Sequence, residues 1–150
     1  MSQLKRATPY ALLAIAMTSA VVWGAIMLRT QTTIPVPSVN EKTPLSSLSY
    51  KPRRFEASIT SVTLKIKSEA GVDPVVADWV FTGRNTDGQV HRVEVQISPR
   101  DEGGKRLGWF TAKHPLPAGA QDQTFVVPMK VKADAWSAVK NVHIAADWMS

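Results

Sequence analysis

The chain contains no cysteine, which excludes disulfides, thiolate nucleophiles, CxxC redox chemistry and cysteine-ligated metals. Histidine is scarce, three residues in 150, and His91, His114 and His143 stand far apart. No His-Glu-x-x-His pattern, carboxylate-rich loop or Gly-x-Ser-x-Gly elbow accompanies them. A hydrolase needs nucleophile, base and orienting acid within hydrogen-bond reach, and a metal enzyme needs gathered ligands. Neither constellation is present, so the sequence points to a protein that is not an enzyme and carries no cofactor. The acidic pair Asp101-Glu102 sits in a glycine-rich turn. A basic stripe is missing as well. The net charge is +6, yet four of the eighteen Lys and Arg precede Lys51, and beyond that point fourteen cations face eleven acids with the signs interspersed. With no RNP-like aromatic motif and no helix-turn-helix pattern, no nucleic-acid partner is expected. Five Trp and four Phe make the chain too apolar for a disordered one.

Charge is wholly absent from one long stretch. Pro9 to Leu28, PYALLAIAMTSAVVWGAIML, is twenty residues without a charged side chain, and a helix of that length spans about 30 Å, the thickness of a bilayer core. Lys5 and Arg6 before it and Arg29 after it can reach headgroups, and Tyr10 and Trp23 suit the interfacial belts. A buried helix with no polar stripe would need a far larger protein around it. A secretory signal has an apolar region of about 7 to 15 residues, and a cut after Thr18-Ser19-Ala20 would leave Val21 to Leu28 as an apolar new terminus. An uncleaved signal anchor is the simpler reading: residues 1–8 cytoplasmic, 9–28 a transmembrane helix, and the rest on the periplasmic side of the inner membrane, as the cation count favours.

Residues 29–52 carry Pro35, Pro37, Pro44 and Pro52 among Ser and Thr, which forbids a continuous helix and favours extended chain. This reads as a linker. Its apolar residues, Ile34, Val36, Val39, Leu45, Leu48 and Tyr50, pack either on their own domain or along a neighbouring subunit. Lys51, Arg53 and Arg54 at the domain entrance form a solvated face or rest on anionic lipid.

From residue 53 to 150 the pattern is strand, turn, strand. Phe55, Ala57 and Ile59 alternate with polar residues, as do Val62, Leu64 and Ile66 after a parity change near Thr60, which predicts a kinked or bulged strand. Strands are expected over Val75–Thr82, Val93–Ile97, Leu107–Ala112, Thr124–Val131 and Val142–Trp148. Asn85 to Gly88, Ser98 to Gly104 and His114 to Gly119 read as turns. Pro128 cannot donate to a ladder and marks its strand as an edge or an irregularity. A short turn of helix fits Ala133 to Val139. Six or seven such strands predict an antiparallel β-sandwich, with a core drawn from Phe55, Ile59, Leu64, Trp79, Phe81, Val93, Val95, Ile97, Phe125, Val127 and Ile144.

The stretches Phe81-Thr82-Gly83-Arg84-Asn85-Thr86, Val93-Glu94-Val95, Arg100-Asp101-Glu102-Gly103-Gly104-Lys105 and Leu116-Pro117-Ala118-Gly119, with Phe125, follow one another in an order that resembles the FxLYD and LEA14-like group of immunoglobulin-type β-sandwiches. The resemblance covers about 50 residues. It implies an all-β, immunoglobulin-like, non-enzymatic extracytoplasmic module, and no catalytic residue comes with it.

Trp79, Trp109, Trp136 and Trp148 exceed what one small core needs, and exposed Trp is a common interface anchor. Trp79 reads as core. Trp109 beside Phe110 puts large rings on both faces of one strand, so one of them must leave the core. Trp136, Trp148, Trp109 and Tyr50 are the candidates for contact with a partner. His114, Met129, His143 and Met149 raise a copper-chaperone alternative, although Met129 shares the parity of core positions. The expected function is an accessory or structural subunit of a larger bacterial membrane complex of respiratory or photosynthetic type. Its partners would be the complex's other subunits and the lipid bilayer. The alternative is a membrane-tethered binding module for a soluble or envelope ligand.

Overall fold

The computed structural model describes residues 27–45, 48–51 and 56–149. Nine strands and one short helix form there: β1 (Met27–Pro35), β2 (Lys42–Pro44), β3 (Ser49–Tyr50), β4 (Ala57–Ile66), β5 (Val75–Asn85), β6 (His91–Arg100), β7 (Phe110–Leu116), β8 (Gln123–Val131), α1 (Ala133–Ala138) and β9 (Asn141–Met149). Sheet I has the order β1-β9-β6-β7. Sheet II has the order β2-β4-β5-β8, with β3 also paired to β4. All pairings are antiparallel, and the apolar faces of the two sheets close on one another as an all-β sandwich.

The period-two pattern accounts for the core. Ile59, Val62 and Leu64 of β4, Trp79 and Phe81 of β5, and Phe125, Val127 and Met129 of β8 bury their side chains from sheet II. Val93, Val95 and Ile97 of β6 and Ile144, Ala146 and Trp148 of β9 meet them from sheet I. The parity change in β4 is a register shift between Ile59 and Ser61 opposite Gly83 and Thr82; one extra residue lets both halves of a long strand point inward. β8 is an edge strand of its sheet, so the N–H that Pro128 lacks is not missed. The helix expected at 133–139 is α1, whose first N–H, that of Ala133, is capped by Asp73 Oδ1 at 2.9 Å. Of the expected core, Phe55 lies outside the described residues.

Three expectations are corrected. The stretch from residue 29 is not a free linker: β1 pairs with β9 along its whole length, from Met27 opposite Met149 to Pro35 opposite Asn141, and β2 and β3 line the edge of β4. The reason is alternation: Thr30, Thr32 and Ile34 turn to the interior opposite Ala146, Ile144 and Val142, while Pro35 and Pro44 stand at strand ends. Leu45 and Leu48 belong to the domain's own core. Second, Met27 and Leu28 are strand residues, so a helix cannot run to residue 28; residues 9–26 lie outside the described ones. Third, β7 starts at Phe110 and runs on to Leu116. Pro115 is tolerated because β7 is an edge strand, paired only with β6 in its sheet.

Candidate functional site

Two surfaces deserve the name of site on geometry: a buried clasp at one end of the sandwich and the outer face of sheet I.

The clasp is built from the end of β5, the turn that follows it and the connection after β7. Asn85, fully buried at the end of β5, donates from its amide nitrogen toward the carbonyls of Gln89, Leu116 and Pro117 at 2.8, 3.0 and 3.1 Å, and its Oδ1 accepts the Asp87 N–H at 2.9 Å. Gly119, at φ +68°, turns the chain so that its N–H reaches the Asp87 carbonyl at 3.0 Å. Gly83 is required by close approach, since a Cβ there would stand 2.7 Å from Leu116 Cδ2. Next to this lie the buried His91, 2.6 Å from Asp87 Oδ2, and Tyr50, which meets the His91 ring edge-on and stacks on Trp148. The clasp joins the β5–β6 and β7–β8 crossings between the sheets. The Asn85 amide is fully spent on these crossings, so its role is structural, while His91 Nδ1 is buried without a partner.

The outer face of sheet I is different, because most of its side chains reach solvent around the buried Asp147 and Ala145. Register places them in rows across the strands: Met149, Arg92 and Pro115, beside the backbone of Met27; then Arg29, Asp147, Glu94 and Lys113; then Gln31, Ala145, Gln96 and Thr111. In the second row two acids lie at the centre and a cation at each edge. Arg29 donates from Nε and Nη2 to the two Asp147 oxygens at 2.7 and 2.9 Å, and Gln96 donates to Asp147 Oδ2 at 2.8 Å. Thr111 donates to Glu94 at 3.1 Å, with Lys113 3.7 Å away. Asp147 is buried while Arg29 is half exposed; the hydrogen bonds and then the charge of Asp147 hold the guanidinium above its ordinary pKa. Such a lattice fixes long side chains in place beforehand, which lowers the entropy a partner must spend to order them.

The sequence-derived candidates fall out as follows. Trp148 is fully buried, its Nε1 donating to Thr30 Oγ1 at 3.1 Å, and is closed to any partner; the last strand is interior because β1 covers it. Tyr50 is partly buried against it. Trp136 packs edge-to-face on Trp79 with ring centroids 6.4 Å apart and so caps the core, where a free contact group was expected. Trp136→Ala therefore destabilises the domain by about 2 kcal/mol, measured as a lower midpoint in chemical denaturation. Trp109 is 50% exposed and has the parity of Thr111 and Lys113 on the outer face, while Phe110 turns inward; of the four candidates it is the open one. Arg29, assigned to the membrane interface, is part of the sheet I lattice. Lys5, Arg6, Tyr10 and Trp23 lie outside the described residues. Sequence reasoning missed Asn85 as more than a turn residue, and missed Asp147 and Gln96 altogether; the alternation in β6 and β9 carried the signal that 94, 96, 145 and 147 share a face.

Of the residues considered for copper, His114 and Met149 line one depression at the end of sheet I, while Met129 and His143 lie apart from it and from each other. His114, partly buried, stacks on Phe125 with ring centroids 4.7 Å apart and also borders that depression. Met129 is buried with its sulfur 3.2 Å from Trp79 Nε1, and His143 lies on the outer face beside Thr33 Oγ1 at 3.0 Å. Among the described residues no three His, Asp or Glu side chains gather to hold a metal. Burial lowers the pKa of His114, and burial followed by the charges of Arg100, Arg29 and Arg106 lowers that of His143. Both therefore favour the neutral form when folded, so the unfolded chain binds more protons just below the ordinary histidine value of about 6.5. The stability these two residues contribute is constant above that pH and falls as pH drops through and below it. His114→Gln removes part of the slope in melting temperatures recorded from neutral pH downward.

No family model matches the chain, and no curated protein matches it. Among solved structures the chain is similar to the enzymatically active domain of tailspike protein 4 of bacteriophage CBA120, at TM-score 0.26 and 12% identity, over 80% of this chain and 17% of that one. A likeness at that score carries no argument about fold or function. Among the described residues no helix is long and apolar enough to cross a membrane.

Proposed function

We propose that the chain is a non-enzymatic, single-span membrane protein with its N-terminus in the cytoplasm and its sandwich outside, serving as an accessory subunit of a larger bacterial membrane complex through the outer face of sheet I. The observation that carries this reading is the position of β1. The charge-free run that begins at Pro9 leads directly into a strand starting at Met27 and paired throughout with β9, so an anchor in that run would hold the sheet at a fixed height and angle instead of trailing it on a tether. A face of fixed height is useful to a subunit that must register with fixed neighbours. The pre-ordered Arg29, Asp147, Glu94 and Lys113 row and the open Trp109 ring supply polar specificity and an apolar anchor on that face.

The strand connections support the immunoglobulin-type reading. β5 pairs with β8 in one sheet and β6 with β9 in the other, which matches the interlocked B–E and C–F pairs of that sandwich. β4 then stands where strand A does, and β1 fills the place beside β9 that the last strand G takes.

The test is gentle detergent extraction from carbonate-washed membranes followed by native sizing. The expected result is a particle larger than one 16.4 kDa chain in its micelle, with defined co-migrating subunits that are lost from Trp109→Ala. Because Trp109 is half exposed, that variant melts within about 0.5 kcal/mol of the parent. A lone chain in its micelle counts for the tethered binding module instead.

A further inference from the structure

We propose that the end of sheet I where β1 begins binds the phosphate headgroup of an anionic phospholipid, in an open depression of about 360 Å³ lined by Arg92, Lys113, His114, Pro115 and Met149. The occupant follows from the anchor reading above, and the site itself from three observations. The first is position. Arg92 pairs with Met149, which pairs with Met27, and Pro115 completes that row on β7. The depression thus lies in the row where β1 starts, at the end of the charge-free run. Headgroup layers add about 5 to 7 Å on each side of the hydrocarbon, and alternate strand residues lie about 7 Å apart. That row and the next, with Arg29 and Lys113, therefore fall at headgroup depth.

The second observation is charge. Two cations line the depression and no acid does. Among the described residues Arg92 forms no ion pair. The acids of the adjoining row are occupied: Asp147 by Arg29 and Gln96, Glu94 by Thr111 and, at 3.7 Å, by the exposed Lys113. An exposed guanidinium can grip a phosphate through two parallel N–H bonds, with an ammonium beside it as a point charge. The third is the mixed lining. Pro115 and Met149 offer apolar surface next to the cations, which suits a headgroup joined to a glycerol and acyl chains better than a free ion.

The full-length chain in detergent micelles is titrated with phosphatidylglycerol or phosphatidylcholine, and retained lipid is read by native mass spectrometry. The parent retains phosphatidylglycerol about tenfold better than phosphatidylcholine. Arg92→Ala/Lys113→Ala loses that preference, and Lys65→Ala/Lys130→Ala, on the outer face of sheet II, keeps it. Millimolar inorganic phosphate leaves the lipid bound. Equal retention of both lipids by the parent, or unchanged preference in Arg92→Ala/Lys113→Ala, overturns the proposal, and so does full displacement by inorganic phosphate, which would make this a site for the free ion. The same variants are checked for release by carbonate washing. A chain that leaves the membrane overturns the anchor and the lipid site together, whereas a retained chain without headgroup preference overturns the lipid site alone.

Discussion

Asn85→Ala lowers the unfolding free energy by about 3 kcal/mol, read by tryptophan fluorescence during denaturation of the full chain. The side chain is fully buried and ties three carbonyls and one N–H from two separate crossings. Leaving a buried polar group without its partner costs about 1 to 3 kcal/mol. The Pro117 carbonyl keeps a second donor in the Ala120 N–H, so the loss is smaller than four independent penalties. The Leu116 carbonyl, partner in the one fully buried bond of the four, carries the largest share, since the Gln89 and Asp87 groups lie nearer to water. Asn85→Asp is a sharper probe. Its carboxylate still accepts from Asp87 but turns a charged oxygen toward carbonyls that need a donor, so the folded state favours the protonated acid. The variant then loses stability as pH rises through and above the ordinary Asp value of about 3.9. A denaturation midpoint for Asn85→Ala indistinguishable from the parent's would show that the clasp is not a unit.

Trp148→Ala lowers stability by about 3 to 5 kcal/mol, the range for deleting a large core aromatic. Trp148 is fully buried in β9 between Leu28 of β1 and Val93 of β6, stacks on Tyr50 and donates to Thr30 Oγ1. Trp148→Phe restores most of the volume without the donor and recovers more than half of the loss, while Thr30→Val, which removes the acceptor alone, costs about 1 kcal/mol. The Thr30 variant matters most, because it touches the core only if β1 is a strand of the sandwich. If it melts like the parent while Trp148→Ala is strongly destabilised, β1 is dispensable and the fixed-height anchor fails with it.

How far the fold could be read from the sequence depended on where the apolar residues were dense. β4, β5, β6, β8 and β9 announce themselves by strict alternation, and the slip at Thr60, the edge position of Pro128 and the split between Trp109 and Phe110 follow from parity alone. β1 did not announce itself. On an edge strand only one face meets the core, and its inward positions are filled by Thr30, Thr32 and Ile34, whose small or β-branched side chains bury little; Arg-Thr-Gln-Thr-Thr beside prolines looks the same as a linker. Trp136 misled for a related reason: a polar ADAWSA segment says nothing of the Trp79 ring beneath it.

The period of each strand, its inward residues and the charge-free run ahead of them are written in the order of residues along the chain, because they are properties of near neighbours. That Arg29, Asp147, Glu94 and Lys113 form one row, that Asn85 holds two crossings together, and that the first strand lies beside the last are visible in the folded arrangement alone. Those facts rest on register between distant segments, such as Arg29 and Asp147, 118 residues apart, fixed by how two apolar faces fit together, and no local pattern encodes that fit.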